Sequence, residues 1–263
     1  MGSGIELRRL DAVLWVTLNR PERLNALDAE MRQTVTEAMD LASREDAVRA
    51  VIFTGSGERA FCAGQDLTES AKLGGTGGGA WMDTWRRFFS GVSGCTKPIV
   101  AAINGTAAGA GLQLALMADI RLAVPSARLL MAEVNVGLPA IAGSCLLDIH
   151  LGQSRMRDLV LTGRAFSAEE AMEWGLIHAL CAPADLGERA ALLARTLAGK
   201  PPVAMRLTLA FLRGRLRQRL AVAEQAAVAY QAEAIATGEP QAAMQRFLAA
   251  KAESRHSQDK RRN

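Results

Sequence analysis

The sequence predicts an α/β fold: a mostly parallel sheet or spiral with covering helices, followed by an all-helical tail. Short apolar runs typical of strands alternate with helical patterns up to about residue 182, and such alternation favours a parallel sheet. From Ala184 onward the spacing is helical throughout, with breaks near Pro201 and Gly238. We therefore expect a core over residues 1–200 that carries the ligand site, and a helical oligomerisation region over 201–263.

The first half of the chain is predicted to open with a hairpin of residues 4–8 and 12–18. A helix over 28–43 follows, with Asp28 as its N-cap. Further strands are predicted at 48–54, 99–103, 120–124, 127–131 and 176–181, and further helices at 80–93, 143–151 and 153–161.

Three local patterns add detail to these elements. Ser167 and Glu170 have the spacing of a capping box at the start of a short helix. The segment 73–79 has five glycines in seven residues, and we interpret it as a mobile loop beside a site or on the open surface. The aromatic residues of the 80–93 helix fit core packing better than ligand stacking; they are Trp81, Trp85, Phe88 and Phe89.

Composition argues against several classes of protein. Hydrophobic residues make up 49% of the chain and charged residues 22%, as in globular proteins. No apolar run reaches the roughly 18 residues of a membrane span, and the N-terminus lacks the apolar region of a signal peptide. We therefore expect a cytoplasmic protein without membrane association. The four cysteines and three histidines are scattered, so neither a metal site nor a disulfide framework is predicted.

The net charge is +4, and basic residues gather near the C-terminus. Arginines at every second position from Arg213 to Arg219 are consistent with a solvated helix face. They are equally consistent with attraction of an anionic ligand. Composition alone leaves both interpretations open.

The stretch Lys97 to Asp119 organises the rest of the chain. A buried strand at 99–103 is followed by glycines at 105, 109 and 111, and then by helical apolar spacing. A strand that turns through glycines into a helix aims unpaired backbone N–H groups at a small volume, which favours negative charge there. The stretch therefore predicts an anion site.

Nucleotide-binding motifs do not account for this anion site. The GxGxxG pattern fails at its last glycine, and neither a P-loop nor a GxSxG elbow is present. A second junction, where a strand meets a glycine just before a helix, occurs at 63–66. Two such junctions can each donate one N–H to the same oxygen, which would stabilise an enolate or a tetrahedral oxyanion.

Five segments resemble the crotonase (enoyl-CoA hydratase/isomerase) superfamily, in the order and spacing of that family. They are LNRPERLNALD at 18–28, FCAGQDL at 61–67, INGTAAGAGLQLALMADI at 103–120, EVNVGLP at 133–139 and LTGRAFSAEEAMEWGLIHAL at 161–180. The resemblance implies a crotonase-like β-β-α spiral core with a helical C-terminal trimerisation region. It also implies a homotrimer or a dimer of trimers, and acyl-CoA substrates without a metal or redox cofactor.

The resemblance also assigns site residues. The oxyanion-hole N–H groups would be those of Gln65 and Ala110, and the basic C-terminal helices would lie near the CoA phosphates. The remaining residues expected to contact substrate are Arg23, Leu24, Ala26, Ala60, Cys62, Ala63, Gly64, Asp66, Leu67, Gly109, Gly111 and Pro139.

The acid and base groups decide which reaction is expected. Hydratases of this family use two glutamates, which fall here at Glu133 and at position 113, where this chain has Gln113. An amide can hold a water molecule or a substrate, but it does not exchange a proton at neutral pH. Migration of a double bond needs only one base. The pattern therefore favours an isomerase, and a hydratase or dehydratase with Glu133 as its sole carboxylate stays open.

Two alternatives belong to other classes. Some crotonase relatives bind RNA, but here the first half of the chain has no Lys-rich helix, so nucleic-acid binding is not favoured. A salt-sensitive RNA shift at sub-micromolar protein would revive that hypothesis. A non-catalytic acyl-CoA-binding scaffold would instead bind CoA esters without turning them over.

Overall fold

The computed structural model describes the backbone of residues 4–71 and 78–259, and the side chains of 4–71 and 81–250. Its strands are β1 (Ile5–Leu10), β2 (Val13–Leu18), β3 (Ala50–Gly55), β4 (Ala60–Cys62), β5 (Ile99–Ile103), β6 (Thr106–Ala108), β7 (Ile120–Ala123), β8 (Arg128–Leu130), β9 (Ala165–Ser167) and β10 (Ala179–Leu180). Its helices are α1 (Ala29–Arg44), α2 (Leu67–Ser70), α3 (Gly78–Gly94), α4 (Ala110–Met117), α5 (Ile141–Thr162), α6 (Ala168–Glu173), α7 (Leu186–Ala198), α8 (Pro202–Ala236) and α9 (Glu239–Asp259).

The strands form two sheets that the chain visits alternately. One sheet has the order β1-β2-β3-β5-β7-β10 and the other the order β4-β6-β8-β9. From β3 to β8 each strand of the first sheet is followed by a strand of the second, and strands within each sheet pair in parallel over this region. Helices α3, α4 and α5 follow successive pairs. This arrangement is the β-β-α spiral that the sequence predicts.

Most of the long elements lie where the sequence places them. The side chain of Asp28 caps α1 by accepting from the N–H of Met31 at 2.9 Å, and the capping box of Ser167 and Glu170 is formed. The two helices predicted at 143–151 and 153–161 are the halves of α5, which is interrupted at Gly152, where φ is 74°. The predicted loop at 73–79 lies mainly outside the described residues, and its last two glycines belong to α3.

The short elements differ from the predictions. The strand predicted at 176–181 is reduced to β10, because the N–H groups of Leu176 and Ile177 both donate to the carbonyl of Ala171 and close the end of α6. Strands β6 and β9 were not predicted, and β4 was predicted only as the strand that meets the glycine junction at 63–66. Each has three residues, which is too short for an alternating pattern to be visible.

The helical tail packs on the core of the same chain. Helix α8 contacts α3 and α5, and α9 contacts α2 and the short 3₁₀ turn Glu133–Val136. Both α8 and α9 therefore reach the region where the two glycine junctions lie. The division of the chain at residue 200 into core and tail stays a prediction.

Arg213 ties α8 to the organising stretch. Its guanidinium is buried, forms a bidentate pair with the carboxylate of Asp119, and donates to the carbonyls of Cys95 and Lys97. Arg219 is exposed and pairs with Asp148. Arg213 therefore fits neither a solvated face nor a free anion-binding group, because its donors are used to hold the fold together.

Replacing Arg213 with methionine is expected to lower the free energy of unfolding by about 3 kcal/mol. The two backbone carbonyls would lose their donor, and the carboxylate of Asp119 would keep its negative charge without a partner. Urea denaturation followed by circular dichroism measures the change. The exposed Arg215 on the same helix provides the control, since Arg215→Met is expected to change stability by less than about 0.5 kcal/mol. Equal effects from both variants would contradict this role.

Candidate active site

A cavity of about 260 Å³ lies where the second sheet, α3, α5 and α8 meet. Its walls include all four residues that the sequence predicts as catalytic, which are Gln65, Ala110, Gln113 and Glu133. Five of the predicted substrate-contacting residues also line it: Ala63, Gly64, Leu67, Gly109 and Pro139. Residues from widely separated segments thus come together around one volume.

The backbone N–H of Gln65 has no acceptor among the described residues, because of the way its segment pairs with Leu27. Residues Leu27 and Gln65 form an isolated parallel bridge, in which the N–H of Leu27 donates to the carbonyl of Gly64 and the N–H of Asp66 donates to the carbonyl of Leu27. Since both bonds use the neighbours of Gln65, its own N–H points away from Leu27. Gln65 therefore has a backbone donor available at the cavity wall.

The second donor is the N–H of Ala110, the first residue of α4. Gly109 caps this helix with a φ of 48°. The first N–H groups of a helix have no intrahelical acceptor, so the amide of Ala110 is available to a ligand. The two junctions also touch: a Cβ on Gly64 would lie 2.8 Å from the carbonyl oxygen of Ala108 and 3.6 Å from the nitrogen of Ala110. Glycine at position 64 therefore permits the close approach of both donors.

Glu133 is a half-buried acid of the cavity whose carboxyl Oε2 is itself buried. The Nε2 of Gln113 donates to its Oε1 at 2.6 Å, and its Oε2 has no hydrogen-bond partner among the described residues. Burial raises the pKa of Glu133 to about 7, although the hydrogen bond from Gln113 partly opposes this shift. A carboxyl group with such a pKa can both accept and return a proton near neutral pH.

The raised pKa of Glu133 predicts a pH-dependent gain of stability in Glu133→Gln. The folded protein keeps this carboxyl protonated up to about pH 7, whereas the unfolded chain ionises it near pH 4.5. The contribution of the neutral Glu133 carboxyl to the free energy of unfolding is thus complete below pH 4.5 and is lost as the pH rises through 7. The free energy of unfolding of Glu133→Gln, measured relative to that of the native chain, is therefore expected to rise by about 2–3 kcal/mol between pH 4.5 and pH 8.

Guanidinium denaturation of both proteins at the two pH values measures this gain. The exposed Glu45, which pairs loosely with Arg9, provides a control with the same change of charge, Glu45→Gln. A difference between Glu133→Gln and the native chain that stays constant with pH would contradict the raised pKa of Glu133.

The aromatic cluster of α3 has two roles. All four side chains are buried, as expected for core residues, and Phe88 is fully enclosed. Trp81, Trp85 and Phe89 also line the cavity, with Trp85 stacked on Phe89 at a centroid distance of 5.9 Å. The interpretation of these three as core alone is therefore incomplete.

Helix α8 supplies a wall that the sequence prediction missed. Glu224, Ala227, Val228 and Gln231 follow the spacing i, i+3, i+4, i+7 and all line the cavity. Burial raises the pKa of the half-buried Glu224 to about 7, while Arg86 opposes the shift. The helical spacing was visible in the sequence, but it does not show which core surface the stripe covers.

The remaining predicted contacts lie outside the cavity wall; they are Arg23, Leu24, Ala26, Ala60, Cys62, Asp66 and Gly111. Several have structural partners. Asp66 caps α2 and pairs with Arg20, and a Cβ on Gly111 would lie 2.2 Å from the carbonyl oxygen of Cys62, so this glycine lets α4 pack on β4. The assignment of these residues to substrate contacts stays a prediction.

Asn25 was not singled out from the sequence. Its side chain is fully buried and donates to the carbonyls of Ser56 and Ala60 at 3.0 and 2.8 Å, which fixes the segment 23–26 against β4. Within the described ranges, no three His, Cys, Asp or Glu side chains are grouped so that they could hold a metal ion. None of the described helices is both long and apolar enough to cross a membrane.

Two sheets wound as one spiral, with two free backbone N–H groups and a buried carboxyl at one cavity, are the fold and site of the crotonase class. Residues 8–258 match the family model described as enoyl-CoA hydratase/isomerase, and the chain belongs to this family. It is therefore an enzyme of the hydratase/isomerase family that acts on CoA thioesters.

Individual relatives are named both as isomerases and as hydratases. The chain is 40% identical over 195 residues to 1,2-epoxyphenylacetyl-CoA isomerase of Escherichia coli, covering 72% of this chain and 74% of that one. It is 31% identical over 207 residues to the short-chain-enoyl-CoA hydratase of Clostridium acetobutylicum, covering 78% and 79%. A crystal structure of an enoyl-CoA hydratase/isomerase from Mycobacterium paratuberculosis has a TM-score of 0.87 at 26% identity, covering 94% and 99%.

Proposed function

We propose that this enzyme moves the double bond of an enoyl-CoA, with Glu133 as the only group that carries the proton. The observation that supports this proposal is the short bond from the Gln113 amide to Glu133 Oε1, which leaves Oε2 without a partner. A neutral amide at position 113 holds the acid in place but does not exchange a proton itself. Within this hydrogen-bonded pair, Glu133 is the titratable group and Gln113 is the positioning group.

The chemistry balances with groups of this chain alone. The thioester oxygen of a 3-enoyl-CoA lies between the N–H groups of Gln65 and Ala110. Ionised Glu133 removes a proton from C2, and the C–H electron pair forms a dienolate whose negative oxygen is held by both donors. Glu133 then returns the proton to C4, and the product is the 2-enoyl-CoA. No water, metal or redox cofactor takes part, and coenzyme A is part of the substrate.

Isomerisation as a class of reaction is supported by the 40% identical E. coli relative, which is named as an isomerase of an epoxide CoA ester and not of an enoyl-CoA. Hydration is the second candidate, supported by the similarity to a short-chain-enoyl-CoA hydratase. Hydration in this family pattern uses a second carboxylate where this chain has Gln113. A water molecule held by Gln113 would have to react with Glu133 as its proton acceptor, because the amide of Gln113 takes up no proton.

A panel of 2-enoyl-, 3-enoyl- and 3-hydroxyacyl-CoA esters distinguishes these reactions. The purified protein is incubated with each ester, and products are identified by chromatography and mass. The proposal expects interconversion of 2-enoyl and 3-enoyl esters with no change of mass. Water gain or loss of comparable rate would assign the hydratase reaction instead, and binding without turnover of any ester would indicate a scaffold.

We further propose assembly into a homotrimer or a dimer of trimers through α8. Three large apolar side chains on this helix are strongly exposed in the single chain: Leu207 at 55%, Phe211 at 74% and Leu212 at 58%. Exposed apolar residues clustered at helical spacing fit a subunit interface. Light scattering is expected to give three or six times the chain mass, and Phe211→Glu is expected to lower it. A monomeric native protein would overturn the proposal.

A further inference from the structure

Glu224 places an unpaired carboxyl group in the wall of the active-site cavity. The residue belongs to the α8 stripe that lines the cavity and is half-buried. Its carboxyl group forms no hydrogen bond and no ion pair with any of the described residues. Both carboxyl oxygens are accessible, because neither is one of the enclosed side-chain atoms that lack a partner. A ligand in the cavity can therefore reach this group.

The carboxyl group of Glu224 lies where α3, α5 and α8 meet. Burial raises the pKa of Glu224 to about 7, and the positive charge of Arg86 on α3 opposes the rise. Burial also raises the pKa of the Cys145 thiol on α5, and the negative charge of Glu224 adds to that rise. Because the interaction between charges weakens with distance, the carboxyl group must be close to both helices. That position is the α3, α5 and α8 side of the cavity.

The same residue also borders a second space. A groove of about 420 Å³ lies between α3 and α8, and its walls include the polar side chains of Ser90, Ser93, Arg217 and Gln218. Among the residues that the structure describes, Glu224 alone lines both the cavity and this groove. Glu224 therefore marks the end of the cavity at which polar surroundings begin.

The charged groups around Glu224 leave one negative charge without a partner. Asp83 and Arg86 also line the cavity, and they pair with each other at 3.1 Å. The exposed Arg217 of the groove forms no ion pair with Glu224. An apolar acyl chain that reached the carboxylate would displace its water without replacing the lost hydrogen bonds, which is unfavourable. A cation beside the carboxylate would instead compensate its charge.

We infer that Glu224 is a specificity residue, which selects acyl groups that carry a positive charge over hydrocarbon acyl groups of the same length. The charged end of such an acyl group pairs with the carboxylate where the cavity meets the groove. This inference rests on the proposed function in one respect, namely that the cavity holds the acyl group of a CoA ester. It does not depend on which reaction follows, because Glu224 acts on the end of the acyl group and not on the reacting carbons.

Pairs of saturated acyl-CoA esters test the inference without turnover. Within each pair, one ester ends in a methyl group and the other carries an ammonium group in its place, and the pairs cover a series of chain lengths. Calorimetry at pH 8, above the pKa of Glu224, gives both affinities. At the chain length that reaches Glu224, the ammonium ester is expected to bind about tenfold more tightly than the methyl ester.

Variants of Glu224 assign this preference to its carboxylate. Glu224→Leu and Glu224→Gln both remove the charge, and Glu224→Gln also keeps the size of the side chain. Each is expected to lower the ratio of the two affinities by about tenfold at that chain length. The ratio is internal to each variant, so a general loss of affinity does not affect it. The exposed Glu233 on the same helix is the control, and Glu233→Leu is expected to keep the native ratio.

Two results would overturn the inference while the proposed function stands. One is binding of the methyl ester at least as tightly as the ammonium ester at every chain length of the native protein. The other is a native ratio that survives in both Glu224 variants. If none of the saturated esters bound at all, the cavity would not be an acyl site, and the proposed function would fail together with the inference.

Discussion

Replacing Glu133 with glutamine is expected to lower kcat by about 10²- to 10⁴-fold, the range typical of a lost general base. The variant keeps the shape of the side chain and an oxygen that can accept the hydrogen bond from Gln113. In the native protein this bond measures 2.6 Å and is the only one that the carboxyl oxygens make to another side chain among the described residues. Only the ability to take up and return a proton is removed. Initial rates on the best ester of the enoyl-CoA panel, with titration calorimetry for binding, measure the effect.

The binding data separate a catalytic loss from a structural one. Affinity for a saturated acyl-CoA is expected to change by less than about threefold, because the proposed site holds the thioester oxygen by backbone donors and not by the carboxyl. The exposed Glu45 again gives a matched change of charge, and Glu45→Gln is expected to keep the native kcat. Full activity of Glu133→Gln on the true substrate would remove Glu133 from the mechanism.

Replacing Ala110 with proline is expected to lower kcat by about 10²- to 10³-fold, because it deletes one of the two proposed oxyanion donors. Ala110 is the first residue of α4, where proline is well tolerated since its missing N–H would have no intrahelical partner. The change therefore removes the N–H while the helix is kept. Stopped-flow or steady-state rates on the same enoyl-CoA, together with thermal unfolding, measure the outcome.

Ala110→Gly is the matched control for this experiment. Glycine changes the side chain at the same position but keeps the backbone N–H, so a kcat within about threefold of the native value is expected. If both variants lost activity equally, the side chain of Ala110 and its packing would be responsible. If neither lost activity, the amide of Ala110 would not be an oxyanion donor.

Features encoded by local sequence were predictable. The glycines at 64 and 109 mark strand-to-helix junctions, and their spacing predicted two donors at one oxygen before any contact was visible. Glu133 and Gln113 were found because they occupy fixed places in segments that resemble one family. The structure adds that these two side chains are hydrogen-bonded to each other and that burial raises the pKa of Glu133 to about 7.

Features created by distant packing were not predictable. Gln231 and Glu224 reach the cavity only because α8 packs against α3 and α5, and nothing in the local sequence of α8 shows where it docks. Arg213 is part of an arginine-rich run, yet its partner Asp119 lies 94 positions away. The three-residue strands β4, β6 and β9 depend on their neighbours in the second sheet and have no periodicity of their own.

Deuterium transfer within the substrate tests the single-base mechanism most directly. A 3-enoyl-CoA with two deuterium atoms at C2 is incubated with the native enzyme, and the early product is examined by mass spectrometry and NMR. Because Glu133 both removes and returns the proton in the proposed mechanism, part of the 2-enoyl-CoA formed in the first turnovers is expected to carry deuterium at C4. A product without deuterium at C4 at the earliest times, or a predominance of 3-hydroxyacyl-CoA, would contradict the mechanism.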